Sequence, residues 1–207
     1  MCGVVYTLYR LFWSVVFKIR YRWEIVGTEY IPKKGPFILA PNHVTFYDSI
    51  FVFIACPRKV HFMAKQELFN SFFSRVFLTM LGGFPVKRGK SDRRAICKAI
   101  SLLKEGKAVG IFFEGERSND LLVYKPLPGV AMLATSLEVP IIPCAIVPEK
   151  HNMRVAFGPP ISEKKPQDPA KKHLVYEQVN KLFIDEVLRL GDGKLTYVNQ
   201  FIDPIIE

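Results

Sequence analysis

With 207 residues, 49% apolar and 23% charged, the chain is long enough for one hydrophobic core and scarcely for two. This composition also excludes a disordered tract. Lys and Arg outnumber Asp and Glu 29 to 19, and the formal charge of +10 favours anionic partners: lipid headgroups, a phosphate-bearing substrate or nucleic acid. No nucleic acid partner is expected, because the basic residues are dispersed and no zinc-finger spacing, RNA-binding aromatic signature or basic heptad region occurs.

Residues 1–17, MCGVVYTLYRLFWSVVF, carry a single charge, Arg10, and are followed by Lys18, Arg20 and Arg22. A spanning helix needs about 20 largely apolar residues, so this run is short and interrupted. A signal peptide would place its basic residues ahead of the apolar run, not behind it. The pattern predicts a helix lying in a bilayer interface, with Tyr6, Tyr9, Phe12, Trp13 and Phe17 as interfacial rings and the basic cluster at lipid phosphates. The alternative is a helix buried in the core.

Next, RWEIVGTEYI reads as a strand entering a turn at residues 32–35, and PFILAP as a short buried strand. TFYDSIFVFIAC reads as a helix, VHFMAK as a strand and ELFNSFFSRVFLTMLG as a helix, and GFPVKRG is extended up to a glycine turn. Ser91 or Asp92 caps a helix over residues 91–105 whose apolar stripe includes Ala95, Ala99 and Leu102. AVGIFFEG is a strand entering a loop, GVAMLATSLE a short helix, and MRVAFGPPI a further strand. VPIIPCAIV is a strand whose prolines suit an edge or entry position. A closing amphipathic helix follows at HLVYEQVNKLFIDEVLRL.

Strands alternating with helices imply an α/β fold with helices on both faces of a mixed, largely parallel sheet. We expect residues 1–22 as a membrane-associating helix and residues 23–207 as one domain. Cys2, Cys56, Cys97 and Cys144 lie far apart with no CxxC pair, which predicts small apolar side chains in a reducing compartment.

Three segments carry chemistry. In PNHVTFYDS, His43 follows a buried strand and Asp48 stands five positions later. Histidine suits a general base near neutral pH, and a carboxylate on its other ring nitrogen fixes the tautomer and stabilises the imidazolium. The alternative is a polar strand end beside a surface carboxylate. His43 and His61 lack the i, i+4 helical pairing of zinc enzymes, and no metal is expected. In GGFPVKRGKSD, Gly82 and Gly83 permit close backbone approach, and Arg88 suits paired hydrogen bonds to a phosphate. In IFFEGERSND, Arg117 is a second phosphate candidate, and Glu114 suits a substrate hydroxyl or a neighbouring arginine.

In order, NHVTFYD, GGFPVKR, FEGERS and VPIIPCAI resemble the four sequence blocks of the glycerolipid acyltransferase family, over roughly residues 23–161. The resemblance implies His43 as general base, Asp48 as its orienting carboxylate, and Arg88, Glu114, Gly115 and Arg117 at the acceptor phosphate. Lys65, in AKQEL, matches a further basic position. No cofactor is implied beyond acyl-CoA or acyl carrier protein as co-substrate. The implied reaction acylates the hydroxyl of 1-acylglycerol-3-phosphate at the cytoplasmic face of a membrane, as a peripheral or monotopic protein on an anionic phospholipid surface. Alternatives are another acceptor (glycerol-3-phosphate, another lysophospholipid or an aminoacyl lipid), an inactive membrane-binding homologue, or a thioesterase. The chain departs from the family where the third block commonly reads EGTRS and Glu116 stands here.

Overall fold

A computed structural model describes residues 2–87, 92–114, 122–124, 126 and 128–198. The elements are α1 (Cys2–Arg20), β1 (Arg22–Val26), β2 (Phe37–Pro41), α2 (Asp48–Ala55), β3 (Val60–Lys65), α3 (Phe72–Met80) and β4 (Phe84–Val86). They continue with α4 (Arg93–Lys104), β5 (Ala108–Gly110), β6 (Leu122–Tyr124), α5 (Gly129–Leu137), β7 (Ile141–Glu149) and β8 (Asn152–Phe157). Last come α6 (Lys172–Leu190) and β9 (Thr196–Val198). The stretch 67–82, expected as one helix, holds most of a 3-10 turn (Gln66–Phe69) followed by α3. Of the two candidate caps for α4, Asp92 accepts from the amides of Arg94 and Ala95, while Ser91 lies outside the described residues.

Seven strands form one sheet in the order β1-β8-β7-β2-β5-β3-β4. All neighbouring pairs are parallel except the β7–β8 hairpin, so β1 and β8 run opposite to the other five. A small second sheet pairs β6 with β9; neither strand was expected. Strand alternation sorts the core into two layers. Ile38, Ala40 and Val109 face α4, α5 and α6, and Phe37, Leu39 and Ala108 face the layer of α1 and α2.

β7 is an interior strand; of the edge and entry positions that its prolines suit, Pro140 takes the entry, directly before Ile141, and Pro143 stands inside the strand. The carbonyl of Pro143 accepts from Gly158 N, so its nitrogen also faces β8, where the antiparallel ladder ends at the Cys144–Phe157 pair. The missing N–H therefore falls at the end of the ladder and not within it.

α2 is buried at every position except Ser49, which explains its apolar residues on all sides. Its cover is α1. Tyr6 and Tyr9 meet Phe53 edge-on, Phe17 meets Phe51, and Tyr9 and Trp13 both touch Phe77 of α3. Four of the five rings expected at an interface thus pack inward, and only Phe12 is exposed. The outward face of α1 is mainly aliphatic: Leu8, Leu11, Val15, Val16 and Ile19. The expected boundary between residues 22 and 23 falls inside β1, and α1 belongs to the core of the domain it precedes.

At the end of the sheet opposite the strand C-termini, Arg58 joins three connections. Its guanidinium donates to the carbonyls of Pro32, Gly35 and Gly106, and it lies over the Phe37 ring at 5.0 Å.

Candidate active site

Among the described residues, the buried polar or charged side chains are Asn42, His43, Asp48, Glu114 and Thr135. Thr135 is satisfied within its own helix by the Ala131 carbonyl. The other four converge at the C-terminal ends of β2 and β5. Burial of such groups is unfavourable unless they are paired, so their concentration here needs a set of partners.

The set begins where β2 stops. Pro41 pairs with Cys144 of β7, and the Asn42 side chain then continues the ladder: Nδ2 donates to the Ile146 carbonyl (3.0 Å) and Oδ1 accepts from Ile146 N (2.7 Å). The backbone is thereby released from the sheet without orphaning Ile146, and His43 turns into the space above it.

His43 Nδ1 lies 2.7 Å from Asp48 Oδ2. The same oxygen accepts from the amides of Val44 (2.7 Å) and Thr45 (2.8 Å), and Oδ1 accepts from Thr45 Oγ1 (2.6 Å). An Asp at the first position of a helix complements the dipole, and here it also folds back over the turn preceding it. A carboxylate surrounded by four donors makes Nδ1 the protonated nitrogen and leaves the lone pair on Nε2. From the turn that follows β5, Glu114 Oε1 accepts from the backbone amide of His43 at 3.2 Å, which fixes the turn after β2 from the other side. The expectation for Glu114 named a substrate hydroxyl or an arginine; its contact with the main chain of His43 adds a positioning function.

The imidazole opens on a cavity of about 160 Å³ whose walls are mostly apolar and include Phe62, Phe77, Leu81 and Phe112. Lys65, the last residue of β3, lines the same cavity, so one space joins a base, a cation and an apolar wall. Gly83 lines it too, and a Cβ there would come within 3.0 Å of the Leu78 carbonyl. Arg88, Gly115 and Arg117 lie outside the described residues, as does Glu116. His61 is not among the residues that line the cavity; its Nδ1 lies 3.2 Å from the Gly82 carbonyl. Burial, and after it Lys59, lower its pKa to about 4.

Asn42, Thr45 and Phe112 were not singled out from sequence. Thr45 carried a legible signal, a hydroxyl three residues before the aspartate at a helix start. Asn42 and Phe112 act through strands distant in sequence, which no local spacing displays.

A family model described as Acyltransferase matches residues 22–147. The chain is similar to the 1-acyl-sn-glycerol-3-phosphate acyltransferase of Bacillus subtilis (strain 168), 29% identical over 159 residues, covering 72% of this chain and 79% of that protein. It is also similar to the protein of the same name from Borreliella burgdorferi, 36% identical over 107 residues, covering 49% of this chain and 42% of that one. Among solved structures, the 1-acyl-sn-glycerophosphate acyltransferase PlsC of Thermotoga maritima shares the fold, with a TM-score of 0.70 at 24% identity over 89% of this chain and 80% of that chain. The matched span runs from β1 through most of β7 and holds every strand that shapes the site; the chain belongs to the acyltransferase family, the class of enzyme its motifs predict.

Proposed function

We propose that the protein transfers a fatty acyl group from acyl-CoA or acyl carrier protein to the hydroxyl of 1-acylglycerol-3-phosphate, forming phosphatidate for phospholipid synthesis at the cytoplasmic face of a membrane. The observation that carries this reading is the 2.7 Å His43–Asp48 bond on the wall of an apolar cavity that also holds Lys65. The names of the relatives supply the acceptor.

In the proposed reaction, His43 Nε2 takes the proton of the acceptor hydroxyl as that oxygen attacks the thioester carbonyl. The new C–O bond places charge on the carbonyl oxygen, and Asp48 stabilises the imidazolium. Collapse of the tetrahedral adduct breaks the C–S bond, and the departing thiolate takes the proton back from His43. No acyl-enzyme forms in this sequence. Lys65, Glu114, Gly115, Arg88 and Arg117 are assigned to the acceptor phosphate and glycerol by motif resemblance.

The acceptor lies in a bilayer, and a peripheral, monotopic attachment brings the site to it. Leu8, Leu11, Val15 and Ile19 are exposed on α1, beside Lys18 and Arg20. Neighbouring α3 exposes Phe72 and Phe73, and Phe46 and Tyr47 are exposed just before α2. No helix among the described residues is long and apolar enough to cross a membrane. Insertion of such a face beside basic residues suits an anionic surface.

Thiol release from acyl-CoA, measured with lysophosphatidate, lysophosphatidylcholine, glycerol-3-phosphate or no acceptor, tests the assignment. Release that requires lysophosphatidate supports it. Acceptor-independent release identifies a thioesterase, and release only with another acceptor reassigns the substrate.

A further inference from the structure

We propose that Phe112 is a positioning residue for His43, and that Phe62 and Gly110 hold Phe112 in place. The proposal rests on reading His43 as the base. Its ring is stacked on Phe112, with centroids 4.0 Å apart and planes 20° from parallel. Asp48 fixes the Nδ1 edge of the ring, and a flat partner on the ring face restricts tilting of its plane and so sets where Nε2 points.

Phe112 is itself supported. Phe62 stacks on it at 5.2 Å and 26°, and both rings line the cavity. Phe62 has room because its strand partner is Gly110: a Cβ there would stand 2.2 Å from one ring carbon of Phe62 and 2.5 Å from two others. β2, β5 and β3 are consecutive in the sheet, so the stack crosses the ends of three adjacent strands. The next residue, Phe113, turns to the opposite layer and packs on Phe183, which leaves Phe112 alone in this role.

The stack also acts on charge. The face of an aromatic ring is negative and attracts a cation placed over it. As the base, His43 gains positive charge when it takes the acceptor proton, so the contribution of Phe112 falls on kcat and not on substrate binding.

The test compares Phe112→Leu, which removes the ring, with Phe112→Tyr, which keeps it. Aromatic contacts of this size predict that the Leu variant loses roughly tenfold in kcat, with both KM values within about twofold and thermal stability close to wild type. The Tyr variant keeps a kcat near wild type. Carbon-bound protons of the His43 ring move downfield in the Leu variant as ring-current shielding is lost. Gly110→Ala, which displaces Phe62, lowers kcat in the same direction. A Leu variant with wild-type kcat, a loss confined to KM, or a Tyr variant as slow as the Leu variant overturns the proposal. His43→Ala separates the two ideas. An active His43→Ala protein removes the base itself, whereas an inactive one beside a fully active Phe112→Leu protein removes only the positioning role.

Discussion

The guanidinium of Arg10 donates through Nε and Nη2 to the carbonyl oxygen of Ile54, at 3.1 and 2.9 Å. Ile54 stands in the last turn of α2, whose first residue is Asp48. One helix therefore has its negative end neutralised by α1 while its positive end carries the carboxylate of the site. The single charge of residues 1–17 is turned inward, and the outer face of α1 is left aliphatic.

Arg10→Met keeps the side-chain length and removes the cap. A charge-assisted bond of this kind contributes about 2 kcal/mol, so the melting temperature should fall by roughly 4–8 °C for a chain of this size. Thermal unfolding followed by circular dichroism measures this. An unchanged melting temperature would show that the contact contributes nothing.

Asn42→Ala leaves both the N–H and the C=O of Ile146 buried without their side-chain partner. We expect a loss of about 2–4 kcal/mol in urea unfolding. Because His43 follows directly, kcat should fall by more than the unfolded fraction explains. Loss of stability alone, with kcat per folded molecule intact, would confine Asn42 to a structural role.

How much of this was legible in the sequence differs between the parts. The short apolar runs ending in Pro41 and Lys65, and the capped stripe of α4, appear as expected, because each carries its own local periodicity and stop signal. The His43–Asp48 pair was readable because a strand end and a helix start lie five residues apart. Three features were not readable. The interior position of β7 depends on which side the Pro143 nitrogen faces, a property of register. The inward turn of Tyr6, Tyr9, Trp13 and Phe17 depends on the all-apolar α2 needing a cover; aromatic residues at helical spacing fit a lipid surface and a protein core equally well. The Phe62–Phe112–His43 stack depends on strand order, which no single segment encodes.

The exposed face of α1 can be tested apart from its buried one. Leu11, Val15 and Ile19, replaced together by Gln, leave the inward rings in place and should abolish co-sedimentation with phosphatidylglycerol vesicles at any salt concentration. Lys18 and Arg20 replaced by Gln should weaken binding roughly thirtyfold at low salt, at about 1 kcal/mol per charge, and the deficit should shrink as salt rises. Vesicle binding unaltered in the apolar triple variant would remove α1 as the anchor.

His61 gives the protein an acid-sensitive element. Burial, with Lys59 next, lowers its pKa to about 4 from an ordinary 6.5, against the Gly82 carbonyl that acts in the opposite direction. Between those values the unfolded chain binds the proton and the folded chain does not. Stability from this group is therefore complete above about pH 6.5 and declines as the pH falls toward 4. In urea unfolding at pH 7, 6 and 5, His61→Gln should show a shallower loss of stability than wild type. Parallel profiles would exclude His61 as the source.

The most direct test of the account is acyl transfer from acyl-CoA to lysophosphatidate by His43→Ala and Asp48→Asn, each shown by circular dichroism to be folded. If the imidazole held by Asp48 removes the acceptor proton, His43→Ala should fall by about 10²–10⁴ in kcat, with Asp48→Asn also strongly impaired. A folded His43→Ala protein that transfers the acyl group at the wild-type rate would contradict it.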